Sequence, residues 1–330
     1  MHDTPQTITA IVVEGGKGPP EALRPQTIPM PNLQFGQILV RVAAAGVNRP
    51  DLLQRKGAYP PPAGAPSTLG LEISGEVVAL GEGATRWRIG DKVCALLGGG
   101  GYAEYAVVDA RHALPVPDSL DLIAAGGLPE TVFTVFANLF ERGNLKAGET
   151  VLVHGATSGI GVTAIALAKA AGARVITTSR GAAKAAKARE LGADLAIDSA
   201  AEDFAEVVMA QGGADVVLDM VGGDFTQKNI DLLKPEGRLT QIAFQAGAQL
   251  SLNLTPLLVK RLTFTASTLR PRSADEKARL ARAIEEKIWP WIVSGQVHIP
   301  VDRVFPLAEA AAAHAYLEAG DQVGKVILKV

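Results

Sequence analysis

The sequence is poor in the residues that mark several common classes of protein. It has one cysteine, Cys94, so no disulfide can form within the chain and a reducing compartment such as the cytoplasm is expected. The formal net charge is −2 and no run of Lys or Arg occurs, which argues against nucleic acid as the main partner. No apolar run reaches membrane-spanning length, and the residues from Met1 to Thr9 lack a signal-peptide pattern.

Metal-ligand and nucleophile patterns are also missing. There is no C-x-x-C pair and no closely spaced histidine pair, so a zinc ion, structural or catalytic, would lack ligands. Ser158 has no G-x-S-x-G context, which argues against a hydrolase. None of the tyrosines has a lysine four residues later, so the pair required by short-chain dehydrogenases is absent. His154 is interpreted as a hydrogen-bonded structural residue, and His314 as a packing or surface residue.

Length and periodicity predict two domains of different type. With 330 residues, 48% of them hydrophobic, the chain can bury large cores. Short apolar runs in the first third, separated by Gly, Pro and Asp, predict a barrel-like β domain. From Thr150 onward strands and helices alternate, which predicts a parallel sheet covered by helices on both faces. The predicted strands are 150–154, 174–179, 195–198, 215–220, 237–242 and 262–267, with helices at 160–171, 182–191, 203–210 and 225–233.

The segments on either side of this α/β region set the expected domain boundaries. A helix-compatible run rich in Ala, Val and Phe covers 123–140. The tail after Pro271 is too short to fold alone, so we expect it to pack on the N-terminal β domain and to make that domain discontinuous. The expected division is 1–125 for the first part of the β domain, 126–268 for the dinucleotide-binding domain and 269–330 for the C-terminal part of the β domain.

The most informative motif is the Gly-rich turn after the first strand of the α/β region. Small residues let the backbone approach a pyrophosphate, and the free N–H groups at the start of the following helix point at it. The glycines are not spaced as G-x-G-x-x-G, but a strand before the turn and a helix after it predict a dinucleotide site. The predicted phosphate-binding residues are Ala156, Thr157, Ser158, Gly159, Ile160 and Gly161.

The end of the second α/β strand indicates which coenzyme is bound. An Asp or Glu there would bond the ribose 2′-hydroxyl of NAD, but no carboxylate ends this strand. Ser179 can donate a hydrogen bond, while Arg180 and Lys184 can meet phosphate charge, so NADPH is favoured. The alternative is that both cations are ordinary solvated residues at a helix start. Val221 and Phe244, in the turns after the fourth and fifth strands, are further coenzyme candidates, with routine turn chemistry as the alternative.

Three N-terminal motifs resemble those of the medium-chain dehydrogenases/reductases: residues 44–51 (AAGVNRPD), 70–77 (GLEISGEV) and 90–93 (GDKV). Zinc alcohol dehydrogenases of that superfamily carry a cysteine where Asn48 stands and a histidine where Leu71 stands. The structural-zinc cysteines are absent too, so the chain resembles the zinc-free quinone oxidoreductase branch. Within that branch, 52–61 (LLQRKGAYPP) and 267–273 (STLRPRS) are similar to NAD(P)H quinone oxidoreductases of the p53-inducible type.

This resemblance covers essentially the whole chain and implies a fold, a coenzyme and an assembly. The implied fold is α/β: a Rossmann domain with a doubly wound parallel sheet, plus a discontinuous GroES-like β-barrel catalytic domain. NADPH and homodimers joined through the Rossmann sheets are implied as well. Asn48, Tyr59, Thr131 and Lys325 are implied to lie near the nicotinamide. In many zinc-free relatives the turn reads Ala-x-x-Gly-x-x-Gly. In this chain Gly155 and Ser158 occupy the first two of those places, and the third is Gly161. The difference concerns individual phosphate contacts and not the presence of the site.

The expected reaction is zinc-independent transfer of a hydride or of electrons from NADPH to a quinone. A quinone is already electron-poor, so it needs less polarisation by a metal, but its oxygen must be hydrogen-bonded as it gains charge. Tyr59 and Asn48 are the candidate donors, and the alternative for Tyr59 is an aromatic that ties down its loop. Asp51 either orients Asn48 or Arg55, or caps the helix at 51–56.

Two other functions remain open from the sequence. The first is an NADPH-dependent reductase of α,β-unsaturated ketones or aldehydes, because the same hydride and oxyanion chemistry serves an enone. The second is an NADPH-binding protein with a nucleic-acid or structural role. Near-neutral charge and an aromatic content of 5% argue against nucleic acid as the main partner.

Overall fold

The computed structural model describes residues 5–330 and divides into two compact units. The first unit contains the described residues up to Thr131, together with Arg270–Val293 and Pro300–Val330. The second unit contains Val132–Leu269 and Ser294–Ile299. A search of residues 5–330 for a helix long and apolar enough to cross a membrane finds none.

Residues 5–330 form fifteen strands and eleven α-helices. The strands are β1 (Thr7–Val13), β2 (Leu23–Pro29), β3 (Gln37–Val47), β4 (Glu72–Leu80), β5 (Lys92–Leu96), β6 (Tyr105–Asp109), β7 (Ala113–Pro115), β8 (Thr150–His154), β9 (Arg174–Ser179), β10 (Leu195–Asp198), β11 (Ala214–Asp219), β12 (Leu233–Gln241), β13 (Thr263–Ala266), β14 (Val301–Pro306) and β15 (Lys325–Lys329). The α-helices are α1 (Arg49–Arg55), α2 (Leu122–Ala125), α3 (Pro129–Val135), α4 (Gly159–Ala170), α5 (Ala182–Glu190), α6 (Phe204–Ala210), α7 (Phe225–Leu232), α8 (Thr255–Val259), α9 (Ala274–Lys287), α10 (Trp289–Val293) and α11 (Ala310–Ala319).

The first unit is built on a seven-stranded sheet in the order β14-β15-β3-β4-β5-β7, with β6 also paired to β3. Apolar side chains of β3 and β4, such as Ile38, Val40 and Ile73, are buried in its core. The late strand β15 runs antiparallel to β3, with Val326 opposite Val47. This register brings the start of β15 to the end of β3, where α1 begins.

The second unit confirms the predicted doubly wound parallel sheet. Its six strands are ordered β10-β9-β8-β11-β12-β13, and the pairings are parallel. The predicted bounds agree closely except for β12, which begins at Leu233 rather than at 237. The earlier start arises because Leu233 pairs with Ala214 ahead of a register shift between Ala214 and Val216.

The helix-compatible run at 123–140 does not form one continuous helix. The chain forms α2, then a turn, then α3, and it continues as a π-helical segment over Phe136–Arg142. Pro129 begins α3, as expected for a residue without an N–H group. A Cβ on Gly126 would lie 2.8 Å from the Cβ of Ala44, so the turn packs against β3 more closely than other residues allow.

Candidate functional site

The Gly-rich turn of the second unit has the geometry of an anion-binding helix start. Gly155 leaves β8 with a φ of +72°, which favours glycine. Ser158 caps α4: its Oγ accepts the N–H of Gly161 at 3.0 Å and donates to the Gly155 carbonyl at 2.8 Å. A Cβ on Gly161 would overlap the carbonyl oxygens of Gly155 and Ala156, so glycine is required for this close approach. The first-turn amides of Gly159 and Ile160 have no intrahelical acceptor and suit a phosphate.

The end of β9 presents a buried hydroxyl beside an exposed cation. The Oγ of Ser179 is buried and has no hydrogen-bond partner among residues 5–330. Arg180 is exposed, and Lys184 lies half-buried in the first turns of α5. The structure therefore places all three predicted 2′-phosphate residues at one strand-to-helix junction.

Sequence reasoning missed a carboxylate next to this junction. Asp198 ends β10 directly opposite Ser179. Its Oδ1 accepts the backbone N–H groups of Gly181 at 2.7 Å and Ala200 at 3.0 Å, which fixes the turn into α5. The strand order of a doubly wound sheet is the signal that would have revealed this neighbour.

A buried hydrogen-bond network joins three strand ends of the same unit. His154 bonds Thr178 through Nδ1 at 2.8 Å and the Oδ1 of Asn229 through Nε2 at 2.8 Å. Asn229 donates to Asp219 at 3.1 Å, and Asp219 accepts the N–H of Val221 at 2.6 Å. Burial lowers the pKa of His154, which keeps the imidazole neutral. The predicted hydrogen-bonded role of His154 is confirmed.

The turns that carry Val221 and Phe244 lie against each other. The N–H of Ala246 donates to the Val221 carbonyl at 2.8 Å, and that of Gln245 to the Met220 carbonyl at 3.3 Å. Phe244 keeps a partly exposed ring. Both turns follow the carboxyl ends of parallel strands, where open α/β sheets bind ligands.

The first unit holds a buried polar cluster where β3, β4 and β15 meet. The Lys325 ammonium donates to the Oδ1 of Asn48 at 2.6 Å and to the Oε1 of Glu72 at 2.7 Å. The Asn48 amide donates to the same Glu72 oxygen at 2.7 Å. A Cβ on Gly46 would overlap the Glu72 carboxylate, so that glycine makes room for it. The family resemblance singled out Asn48 and Lys325, which meet here, but it did not single out Glu72, whose strand carries no predicted site residue.

Asp51 is the third residue of α1 and forms a capping box with Asn48, the N-cap of that helix. Its carboxylate accepts the N–H of Asn48 at 2.9 Å and the N–H of Gly70 at 3.0 Å. Burial raises the pKa of Asp51 to about 6, although these two N–H donors oppose the rise. This contact caps α1, which spans Arg49–Arg55 rather than 51–56, and it also fixes the backbone of Asn48.

Glu130 contacts Glu72, and Thr131 and Tyr59 are the remaining predicted residues of the first unit. The N–H of Glu130 donates to the second Glu72 oxygen at 2.9 Å. Burial, and then the nearby Glu72, raise the pKa of the Glu130 carboxyl to about 8. Thr131 is buried and its hydroxyl donates to the Leu128 carbonyl at 3.3 Å. Tyr59 is half-buried, and its pKa is raised by burial and then by Glu130, while Arg270 opposes the rise.

A second buried network connects α1 with α11. Arg55 places its guanidinium 3.3 Å from the Nδ1 of His314 and 2.6 Å from Glu318, and the Nε2 of His314 lies 3.1 Å from the Tyr102 hydroxyl. An Arg can only donate, so Nδ1 accepts and Nε2 carries the proton. Burial, and then Arg55, lower the pKa of His314 to about 3. His314 is therefore a packing residue of the core, not a surface residue.

Two family models match the chain. Residues 34–118 match the alcohol dehydrogenase GroES-like domain, and residues 191–328 match the zinc-binding dehydrogenase family. A quinone oxidoreductase of Pseudomonas aeruginosa is 33% identical over 296 residues, which cover 88% of this chain and 90% of that protein. A phenolphthiocerol/phthiocerol polyketide synthase protein of Mycobacterium tuberculosis is 32% identical over 90% of this chain, but the chain spans only 14% of that protein's length.

Solved structures give the same picture. A quinone oxidoreductase of Pseudomonas syringae has a TM-score of 0.87 at 30% identity, covering 98% of this chain and 100% of that one. A mycobacterial protein complexed with NADPH has the same score, identity and coverage. The CurK enoyl reductase has a TM-score of 0.86 at 25% identity, covering 98% of this chain and 99% of that one.

Proposed function

The chain belongs to the medium-chain dehydrogenase/reductase superfamily of oxidoreductases, and from this premise we propose that it reduces quinones with NADPH and without zinc. The observation that carries the proposal is the buried cluster in which Lys325 and Asn48 share one oxygen of Glu72. It supplies N–H donors where the zinc enzymes of the superfamily need a metal ligand. The similarity to quinone oxidoreductases supports the choice of substrate class.

The second unit fits NADPH. The turn from Ala156 to Gly161 would hold the pyrophosphate, and Ser179, Arg180 and Lys184 would hold the 2′-phosphate. A buried hydroxyl without a partner is rare, and Ser179 would gain one from the phosphate oxygens. The NADPH complex of a mycobacterial relative supports the same coenzyme. When bound, NADPH supplies the hydride.

A zinc ion does not fit the first unit. Residues 5–330 contain no group of three or more His, Cys, Asp or Glu side chains suited to a metal ion. The Lys325 ammonium, held 2.7 Å from Glu72, would also repel a divalent cation at this carboxylate. We therefore propose that this chain does not bind zinc, although the matching family is named for zinc binding.

The residues of the first unit are proposed to stabilise negative charge on the acceptor oxygen. A Lys ammonium has three N–H donors, of which Lys325 uses two within the cluster. Asn48 uses one of its two amide N–H donors on Glu72. The remaining donors and the Tyr59 hydroxyl are suited to an oxygen that gains charge during reduction. Asp51 keeps Asn48 in place from its backbone side.

A double-bond reductase of enones is the second candidate, because an enoyl reductase and a polyketide synthase are among the similar proteins. Both reactions need a donor at a carbonyl oxygen, so only turnover separates them. We also propose a cytoplasmic location, since the single cysteine Cys94 is free and buried. The first unit would be the catalytic domain and the second the coenzyme domain.

The deciding experiment is NADPH oxidation measured with ortho- and para-quinones beside simple enones, with NADH in parallel and zinc determined on the same sample. We expect faster oxidation with quinones, a preference for NADPH and no stoichiometric zinc. Faster turnover of enones would favour the second candidate. No oxidation with any acceptor, together with salt-dependent oligonucleotide binding, would instead support an NADPH-binding protein with a nucleic-acid role.

A further inference from the structure

Arg270 is a buried cation whose contacts converge on the Tyr59 loop, the segment at 56–71 between α1 and β4. It is only 5% exposed. Its Nε donates to the Gly98 carbonyl at 2.9 Å, and its Nη2 donates to the Oε1 of Gln54 at 2.7 Å. Its Nη1 reaches the Tyr59 carbonyl at 3.4 Å, and the guanidinium lies 5.4 Å from the centre of the Tyr59 ring. One side chain thus holds both the backbone and the ring of Tyr59.

The other contacts of Arg270 make this arrangement rigid. Gln54 belongs to α1, the helix that begins after Asn48, and its amide donates to the Ser67 carbonyl at 2.8 Å. Gln54 therefore ties the far end of the Tyr59 loop to the same helix. On the opposite side, the Lys277 ammonium donates to the Arg270 carbonyl at 2.6 Å. The guanidinium is held between a helix, the Gly-rich loop at 98–101 and the Tyr59 loop.

The chemistry of the site requires a guanidinium. Its planar fork directs N–H donors at three acceptors and still stacks on an aromatic ring, whereas a lysine ammonium is a point charge. A buried cation is costly unless such donors are satisfied, so a site of this kind specifies arginine. The charge of Arg270 also opposes the influence of Glu130 on the Tyr59 hydroxyl.

We propose that Arg270 is a positioning residue that holds Tyr59 so that its hydroxyl can serve the acceptor oxygen. The role given to the Tyr59 hydroxyl rests on the proposed function, whereas the contact between Arg270 and Tyr59 is independent of it. Arg270 acts through Tyr59, so removing the Tyr59 hydroxyl should remove most of the kinetic effect of changing Arg270.

The test is a double-mutant cycle with Arg270→Lys and Tyr59→Phe. We expect each single variant to lower kcat/KM for the quinone by roughly 10-fold or more, because one aligned donor is lost or displaced. In the Tyr59→Phe background, Arg270→Lys should cost less than about 2-fold more. The matched control is Arg86→Lys, since Arg86 also stacks on a ring, that of Trp87, and pairs with Glu285. Multiplicative losses, or an equal loss in the control, would overturn the inference.

A second readout is independent of turnover. The chain has four tyrosines, so the ring signal of Tyr59 can be assigned by NMR from its loss in Tyr59→Phe. It should shift in Arg270→Lys and stay fixed in Arg86→Lys. If Arg270→Lys does not fold, Gln54→Met releases one guanidinium N–H and should shift the same signal less. An unmoved signal would contradict the positioning role even if quinone turnover is high, whereas a shifted signal without turnover would contradict only the proposed reaction.

Discussion

The hydroxyl of Ser179 is buried without a partner among the described residues, while Arg180 beside it is exposed. One side chain is buried and the other is exposed, but both would bind the same phosphate group. A buried hydroxyl gains a hydrogen bond when a phosphate oxygen arrives, whereas an exposed cation mainly contributes charge. The neighbouring Asp198 accepts the N–H groups of Gly181 and Ala200, which fixes the turn into α5.

The double variant Arg180→Ala with Lys184→Ala should weaken NADPH binding far more than NADH binding. Loss of two charge-assisted contacts, reduced by solvent screening, is expected to cost roughly 10- to 100-fold in the Kd for NADPH. The Kd for NADH should change little, and calorimetry measures both. Lys187→Ala is the control, because Lys187 lies on the same helix and pairs with Glu190. Equal losses for the two coenzymes would contradict the phosphate assignment.

Glu130 should make stability depend on pH. Its pKa is about 8 in the folded state against 4.5 when unperturbed, so the folded protein retains a proton that the unfolded chain releases. The contribution of the protonated Glu130 carboxyl to the free energy of unfolding is complete below about pH 4.5 and is lost as the pH rises through about 8. Glu130→Gln should therefore gain stability relative to the unsubstituted protein between about pH 6 and about pH 8, by at most about 1.4 kcal/mol per pH unit.

Urea unfolding at these two pH values measures the effect. The control is Glu82→Gln, which changes an exposed carboxylate in the same unit. A stability difference for Glu130→Gln that does not vary with pH would show that this carboxyl is not protonated in the folded state.

At the scale of elements, α11 is attached to α1 by a polar contact in an apolar environment. Arg55, His314 and Tyr102 are fully buried, and Tyr102 belongs to the main hydrophobic cluster of the first unit. The Tyr102 hydroxyl is the acceptor for the His314 N–H, while the two rings pack edge-to-face with their centres 5.7 Å apart. A core that contains such a pair depends on both partners, because either one alone would be buried unsatisfied.

Tyr102→Phe should destabilise the protein by about 1–3 kcal/mol, because it leaves the Nε2–H of His314 buried without an acceptor. Tyr316→Phe removes a hydroxyl that donates to Asp302 at the surface, and it should cost less than about 0.5 kcal/mol. Denaturant unfolding compares the two variants. Equal effects would mean that the His314 contact does not contribute to the stability of the core.

Elements set by local patterns could be predicted from the sequence, and those set by tertiary contacts could not. The strands β8, β9 and β10 were predicted to the residue because each is a short apolar run between turns. The break in the 123–140 helix depends on the packing of Gly126 against Ala44, which no local pattern shows. β2 escaped prediction because most of its residues are exposed.

The same distinction applies to the candidate sites. Ser179 ends β9 and Arg180 follows it, so both could be identified from the end of one predicted strand. Glu72 and Asp198 matter through residues on other strands, and those neighbours follow only from sheet order and register.

For the whole molecule, the exposed edge of the second unit is the surface at which we propose that the homodimer implied by the family resemblance forms. β13 is the last strand of its sheet, and it pairs only with β12 among the described strands. Next to it in sequence, Leu258 and Val259 on α8 are 82% and 70% exposed. An open edge beside exposed apolar side chains is a surface that proteins usually cover.

The variant Leu258→Glu with Val259→Glu should shift the protein from dimer to monomer, because charged side chains at a buried interface are costly to desolvate. Sedimentation at micromolar concentration measures the mass. Met209→Glu is the control, since Met209 is an exposed apolar residue on α6 of the same unit. A monomeric unsubstituted protein, or a dimeric double variant, would contradict an interface at this edge.

Lys325 lies 277 positions after Asn48 and 253 after Glu72 in the chain. During translation, a ribosome therefore releases the amide and the carboxylate long before it makes the ammonium that joins them. The whole of Val132–Leu269 emerges in the interval and has the first opportunity to fold. The nascent first unit meanwhile lacks the Lys325 partner of Glu72, so the half that would hold the coenzyme is expected to mature earlier than the half that would perform the chemistry.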